Sequence, residues 1–225
     1  MIIRRRLLFK RSHDSKCIMW EFVDKVVYIN LDERTDRLEK IEEFIKPFGD
    51  KAIRFPAIKH DKGIVGCVLS HIAVLKLTLE NGWNNVLILE DDVSWNDIET
   101  GYSKLESIVS SPFDVVMLGG TVVTYYPKTF RLVRANTTSA YIVNAHYIPN
   151  LISNFEEGLE KMLMYGYGKN GENALDAYWC SLQSRDNWYI LVPPLVYQYP
   201  DYSSIEKKDV DYRKYFNGYD NTALL

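Results

Sequence analysis

Short apolar runs alternating with helical-period segments organise the first half of the chain. Residues 25–31, Lys-Val-Val-Tyr-Ile-Asn-Leu, are rich in β-branched side chains and apolar on both faces, the pattern of a strand covered on both sides in a parallel sheet. Asp32, Glu33, Arg34 and Thr35 then supply capping residues, and Leu38, Ile41, Ile45 and Phe48 recur at helical spacing until Pro47 and Gly49 stop the pattern. A short strand at 53–58, a loop carrying Gly63 and Gly66, and a second helix bearing Val68, Leu69, Ile72, Leu75 and Leu79 come next, the helix ending at Asn81-Gly82. Residues 86–89 predict a second buried strand, 98–109 a third helix and 114–118 a third buried strand closed by Gly119-Gly120. Alternation of this kind through residue 120 argues for an α/β sheet layered with helices.

The second half follows another pattern. Residues 140–143, 189–192 and 195–197 are short strand candidates, with a loop holding Gly166, Gly168 and Gly171 and a helix at 173–183 between them. Of 16 tyrosines, all but Tyr28 and Tyr102 lie at or after Tyr125, so the halves are expected to do different work. There is no internal repeat and no low-complexity linker, and 225 residues suffice to bury roughly 70 % of the unfolded surface in one core. The expected organisation is a basic N-terminal extension at 1–24 and one domain over 25–225, with a mixed half at 121–225 following the α/β half at 25–120.

Charge narrows the partners. Lys and Arg total 27 and Asp and Glu 30, a net charge of -3 that gives no electrostatic reason to bind nucleic acid. Arg4, Arg5 and Arg6 precede only Leu7, Leu8 and Phe9 before Lys10 and Arg11, too short an apolar run for a secretory signal. No window approaches the roughly 18 to 20 apolar residues that span a bilayer. These features lead to the expectation of a cytoplasmic protein. Cys17, Cys67 and Cys180 show neither metal spacing nor an even count for a disulfide framework, and Cys67 is expected to pack rather than react.

The sharpest chemical feature is Leu87-Ile88-Leu89-Glu90-Asp91-Asp92, an apolar strand that runs into three carboxylates. Three acids at a buried strand end are electrostatically costly unless a cation offsets them. Along an extended chain Glu90 and Asp92 point to one side and can converge on one ion. Carboxylate oxygens select Mg2+ or Mn2+, and the carboxyl ends of strands are where open α/β sheets bind ligands. A solvated cap for the next helix is the alternative reading of the same acids. Gly66, Cys67, Ser70 and His71 open the second helix, where His71 by itself reads first as a structural histidine and second as a ligand or base; Arg34 and Arg37 can neutralise phosphate or line an exposed helix face.

Four stretches in order resemble glycosyltransferase family 25, which includes bacterial lipooligosaccharide galactosyltransferases and collagen hydroxylysine galactosyltransferases. They are Tyr28-Ile29-Asn30-Leu31 with Arg34 and Arg37, Gly66-Cys67 with Ser70-His71, Leu89-Glu90-Asp91-Asp92-Val93, and Pro194-Leu195-Val196-Tyr197-Gln198 with Ser203-Ser204-Ile205. The resemblance implies a GT-A type, Rossmann-like nucleotide-sugar-binding sheet flanked by helices, a UDP-galactose or UDP-glucose donor, and Mn2+ or Mg2+ held by the acidic motif. It makes Asp92 the principal metal ligand with Glu90, and places Asp91 near the metal or donor sugar. Asn30, Arg34 and Arg37 fall at the nucleotide end, and Ser70 and His71 support the donor pocket. Residues 25–120 then become the donor and metal half and 121–225 the acceptor half, whose tyrosines suit sugars. Leu175-Asp176-Ala177-Tyr178 resembles the family's second acidic site, making Asp176 the catalytic base of an inverting transfer, with Glu172 and Asp201 as competitors. The last histidine is His146, so Gln198, Asp201 or water takes the place of the late histidine ligand of many metal-dependent relatives. The implied acceptor is a hydroxyl on a glycan or lipooligosaccharide, or hydroxylysine of a collagen-like protein, in a bacterial or viral setting. A metal-dependent phosphohydrolase or nucleotidyl enzyme using the same acids, and a catalytically silent carbohydrate-binding relative, are the alternatives.

Overall fold

The computed structural model describes residues 20–218 and 220–225. The basic run at 4–6 and Cys17 lie outside the described residues. Strand β1, Lys25–Asn30, pairs in parallel with β2, Ala52–Pro56, and between them run helix α1, Thr35–Ile45, and a 3-10 turn, Lys46–Lys51. The capping expected of residues 32–35 is absent: Arg34 occupies the N-cap position without a side-chain cap, and Asp36 in the first turn is the acid that complements the helix dipole.

Helix α2, Gly63–Glu80, leads into β3, Asn85–Glu90, then β4, Val93–Trp95, and α3, Ile98–Val109. The loop expected at Gly63 and Gly66 is instead the first turn of α2. Gly66 is required there by packing rather than by backbone freedom, because a Cβ at that position would sit 2.4 Å from the Ile58 carbonyl oxygen. Helix α2 is long and apolar enough by length and composition to cross a membrane, but in this fold it is a core helix, with Val68, Ile72, Val74 and Leu75 buried against the sheet.

Beyond β5, Val115–Met117, the hairpin β6, Thr121–Tyr126, and β7, Arg131–Asn136, precedes β8, Ala140–Asn144. Helix α4, Ile148–Tyr165, was not anticipated, although Ile148, Leu151, Phe155 and Met162 form its buried stripe and Pro149 suits its first turn. Gly166, at φ +72°, ends it. The helix expected at 173–183 is two turns, α5, Leu175–Tyr178, and α6, Cys180–Gln183, joined at Trp179, whose buried ring donates Nε1–H to the Ala135 carbonyl. Strands β9, Trp188–Ile190, β10, Val196–Gln198, β11, Asp201–Ser203, and β12, Lys208–Val210, helix α7, Arg213–Phe216, and strand β13, Thr222–Ala223, complete the described chain.

One mixed sheet runs in the order β13-β6-β7-β9-β5-β8-β3-β1-β2, and β10 pairs with β4 and β11 with β12 in two small antiparallel ladders. Helices cover both faces, which bears out the expectation of an α/β sheet layered with helices. Alternation along the strands divides the core: Val27, Ile29 and Ile88 pack with α2 and α4 on one face, while Val26, Tyr28, Leu87 and Leu89 pack with α1 and α3 on the other. The core also holds Trp20 and Val23, so the packed unit begins before Lys25. Strand β8 lies antiparallel between β3 and β5, so both halves of the chain build a single sheet.

Candidate active site

Strands β1 and β3 are parallel neighbours in which Ile29 stands opposite Glu90, so their carboxyl ends bring Asn30 beside Asp91. Asn30 Nδ2 donates to Asp91 Oδ2 at 2.7 Å. Arg37, one turn into α1, returns over the same strand end: its Nη1 donates to Asp91 Oδ1 at 2.8 Å and to Asp92 Oδ2 at 3.0 Å, and its Nε donates to Asp201 Oδ2 at 3.1 Å. Arg34 Nη2 donates to the same Asp201 oxygen at 3.0 Å. Both arginines therefore clamp carboxylates, and Arg37 is only 8 % exposed rather than lining an open helix face.

The second oxygen of Asp92 accepts from Gln198 Nε2 at 3.2 Å, and Gln198 Oε1 accepts from Thr137 Oγ1 at 3.3 Å. Burial, together with the charges of Glu90 and Asp91, pushes the Asp92 carboxyl up to about 7 against the opposing pull of Arg37.

Helix α2 forms the facing wall. Ser70 Oγ accepts from the Ile58 amide at 2.8 Å and donates to the Gly66 carbonyl at 2.7 Å, so its hydroxyl staples the loop after β2 to the helix. His71 is buried, with Nδ1 3.0 Å from Tyr141 Oη and Nε2 3.5 Å from Glu90 Oε1. Glu90 Oε1 also accepts from Thr138 Oγ1 at 2.7 Å. Asp176, at the start of α5, accepts at Oδ2 from the Thr137 amide at 3.0 Å, and burial raises its carboxyl above the ordinary range.

These walls enclose a cleft of about 470 Å3, within the size range of small-molecule sites. Nine of the ten residues singled out from the sequence, namely Arg34, Arg37, Ser70, His71, Glu90, Asp91, Asp92, Asp176 and Gln198, line it, and Asn30 lies behind Asp91. Glu172, a competitor of Asp176, instead accepts from the Asn170 amide in its own loop. Sequence reasoning missed Thr137 and Thr138, which link Gln198, Asp176 and Glu90. Thr137 holds φ +80°, a strained conformation for a β-branched residue and one that often marks a functional site. Nothing in the run Asn136-Thr137-Thr138-Ser139 beyond its polarity announced that role. Of the tyrosines in the second half, Tyr212 lines the cleft wall.

An α/β sheet with an acidic, arginine-clamped cleft at its strand ends has the architecture of a ligand-binding α/β fold. The family model described as Glycosyltransferase family 25 (LPS biosynthesis protein) matches residues 60–165, the segment that carries Gly66, Cys67, Ser70, His71 and the three acids. A mimivirus protein named as glycosyltransferase R655 (Acanthamoeba polyphaga mimivirus) is 29 % identical over 122 residues, covering 44 % of this chain and 38 % of the relative. A glycosyltransferase-named protein of Haemophilus influenzae is 45 % identical over 53 residues, covering 24 % of this chain and 19 % of the relative. By these matches the segment around residues 60–165 is similar to glycosyltransferase family 25. It spans well under half the length of both relatives. Among solved structures, it is similar to a glycosyltransferase involved in the glycosylation of the major capsid of PBCV-1, with TM-score 0.45 and 9 % identity over 74 % of this chain and 80 % of that one. A second similar structure is A197 from STIV, with TM-score 0.43 and 16 % identity over 83 % of this chain and 93 % of that one.

Proposed function

We propose that the protein is a metal-dependent inverting glycosyltransferase that moves galactose or glucose from a UDP-sugar to a hydroxyl acceptor. The acceptor is a glycan, as in lipooligosaccharide, or hydroxylysine of a collagen-like protein. The observation that carries this reading is the opposition, across one cleft, of the Glu90-Asp91-Asp92 strand end and the buried Asp176 carboxylate. The donor set fits a hard divalent cation: Asp92 and Glu90 offer carboxylate oxygens, Gln198 can add its amide oxygen if its side-chain amide turns over, and burial beside Glu90 and Asp91 disfavours the bare Asp92 charge. Mn2+ or Mg2+ bound there would stabilise the charge of the departing diphosphate.

The residues of the chain supply the rest. Asn30 and Arg37 hold Asp91 and thereby orient the strand end, while Arg34 brings a second positive charge to the cleft rim. Ser70 fixes the loop wall beside the donor. Asp176 accepts the proton of the acceptor hydroxyl at Oδ1 or Oδ2, and its raised affinity for protons suits a general base. Of its two competitors, Glu172 caps its own loop and Asp201 is held by Arg34 and Arg37.

UDP-sugars supplied with Mn2+ and offered to saccharide and collagen-like peptide acceptors, with products read by mass spectrometry, test the reading. Asp176→Asn is expected to lower kcat by about a hundredfold or more while UDP binding persists. Asp92→Asn is expected to abolish transfer. Release of phosphate without sugar transfer would instead identify a phosphohydrolase, and donor binding with neither reaction a silent carbohydrate-binding relative.

A further inference from the structure

A second cluster on the cleft wall has a donor chemistry unlike that of the Asp92 end. Cys67 and His71 lie four residues apart on α2 and so share one helical face. That face looks onto the end of β3, where one ligand atom each from Cys67, His71 and Glu90 lies within 4.8 Å of the others. All three residues line the cleft.

His71 is the telling member. Its side chain is 1 % exposed, and Nε2 is buried with no hydrogen-bond partner among the described residues. The nearest charged atom to Nε2 is Glu90 Oε1 at 3.5 Å. Nδ1 faces Tyr141 Oη at 3.0 Å, the arrangement by which an outer hydrogen bond fixes a ligating imidazole and leaves the other nitrogen free. Glu90 is oriented in the same way by Thr138 Oγ1. Buried polar atoms rarely stay unpaired, and this one lies 3.5 Å from the Glu90 carboxylate in a residue clustered with the Cys67 thiol.

We propose that Cys67, His71 and Glu90 form a site for a thiophilic divalent cation, Zn2+, which shares Glu90 with the oxygen set of Asp92 but adds a thiol and an imidazole of its own. One sulfur, one nitrogen and one oxygen make the three-ligand set of an open tetrahedral zinc site, with the fourth position facing the cleft. Mn2+ and Mg2+ prefer oxygen and would not select the thiolate. Burial and the surrounding carboxylates hold the Cys67 thiol protonated in the free protein, and a bound cation reverses that field, so Zn2+ binding releases the thiol proton to solvent. Because Glu90 belongs to both donor sets, Zn2+ occupancy withdraws it from the Asp92 end.

Co2+ in place of Zn2+ gives the deciding readout on tag-free, full-length protein. The expected result is a thiolate-to-cobalt charge-transfer band in the near ultraviolet, displaced by Zn2+ and not by Mn2+. The band is expected to vanish in Cys67→Ser and in His71→Asn and to persist in Cys17→Ser, Cys180→Ser and Asp92→Asn. Tyr141→Phe should keep the band and weaken Zn2+ by about tenfold in calorimetric titration. Thermal unfolding of each variant identifies any that fails to fold, and Tyr141→Phe with Cys180→Ser keeps the comparison decisive if Cys67→Ser does not. No band in the native protein, or a band that survives Cys67→Ser or disappears in Cys180→Ser, would overturn the proposal and leave His71 as a structural partner of Glu90.

Discussion

Asp201 shows how one side chain links a peripheral ladder to the centre of the site. It lies on the β11–β12 ladder and accepts from both Arg34 and Arg37, so the charge that holds Asp91 and Asp92 also holds the flap. Burial works against its ionised form, but the Tyr202 amide, Arg37, Lys40 and Arg34 outweigh it and lower the carboxyl below its ordinary value. A lowered acid contributes stability above the unfolded value of about 3.9 and loses it as pH falls through the folded value. Asp201→Asn should therefore be less stable than the native protein at pH 6, by about 1 kcal/mol for a partly screened pair. Urea unfolding followed below pH 4 should narrow the difference between the two proteins as pH falls toward the folded value, and curves that stay parallel would show that Asp201 makes no such contribution.

Helix α2 is the element on which the cleft depends, because it supplies one wall and fixes another. Its first turn passes so close to the loop after β2 that Gly66 has no room for a Cβ beside the Ile58 carbonyl, and from the next turn Ser70 accepts from the amide of the same residue. Two effects compete in Gly66→Ala. Helix propensity favours alanine by about 1 kcal/mol, whereas a Cβ 2.4 Å from a backbone oxygen forces a shift of the kind that costs about 1–3 kcal/mol. Overpacking wins because the obstacle is backbone and is already pinned by Ser70. The urea midpoint should fall, and a midpoint equal to or above that of the native protein would mean that the loop yields freely.

At the scale of the whole molecule, the cleft is a joint product of both halves of the chain. Glu90, Asp91 and Asp92 arrive on β3, whereas Thr137, Asp176 and Gln198 arrive from three later segments that the antiparallel insertion of β8 brings alongside. A ligand that bridges these walls should stabilise the fold through mass action, by about 2.7 kcal/mol at a hundredfold excess over its Kd. Under the proposed function, UDP and Mn2+ together are expected to raise Tm more than the sum of their separate effects. Chelation should reverse the shift, and Asp92→Asn should lose it. Strictly additive shifts would separate the nucleotide and metal sites.

The pattern of the chain by itself determined the elements whose cause is local. Residues 25–31 and 86–89 read as strands buried on both faces, and they are, because apolar side chains at successive positions need cover on both sides. The three acids after Leu89 read as a ligand-binding strand end because carboxylates clustered there are costly without a cation, and the ordered motifs carried the resemblance to glycosyltransferase family 25. Other features were decided only by tertiary structure. Arg34 and Arg37, three residues apart on a helix, have the spacing of an exposed charged face; burial against Asp91, Asp92 and Asp201 comes from chain segments more than fifty residues away. Gly66 reads as a loop residue and is helical, since the constraint on it is the Ile58 carbonyl and not its own backbone preference. Thr137 carries a polar side chain like many others, and its place between Gln198 and Asp176 follows from the turn between β7 and β8. Periodicity records which side of an element is covered. What covers it is set by strand order and long-range packing, and in this protein those place the acids, the arginine clamp and the facing carboxylate around one cleft.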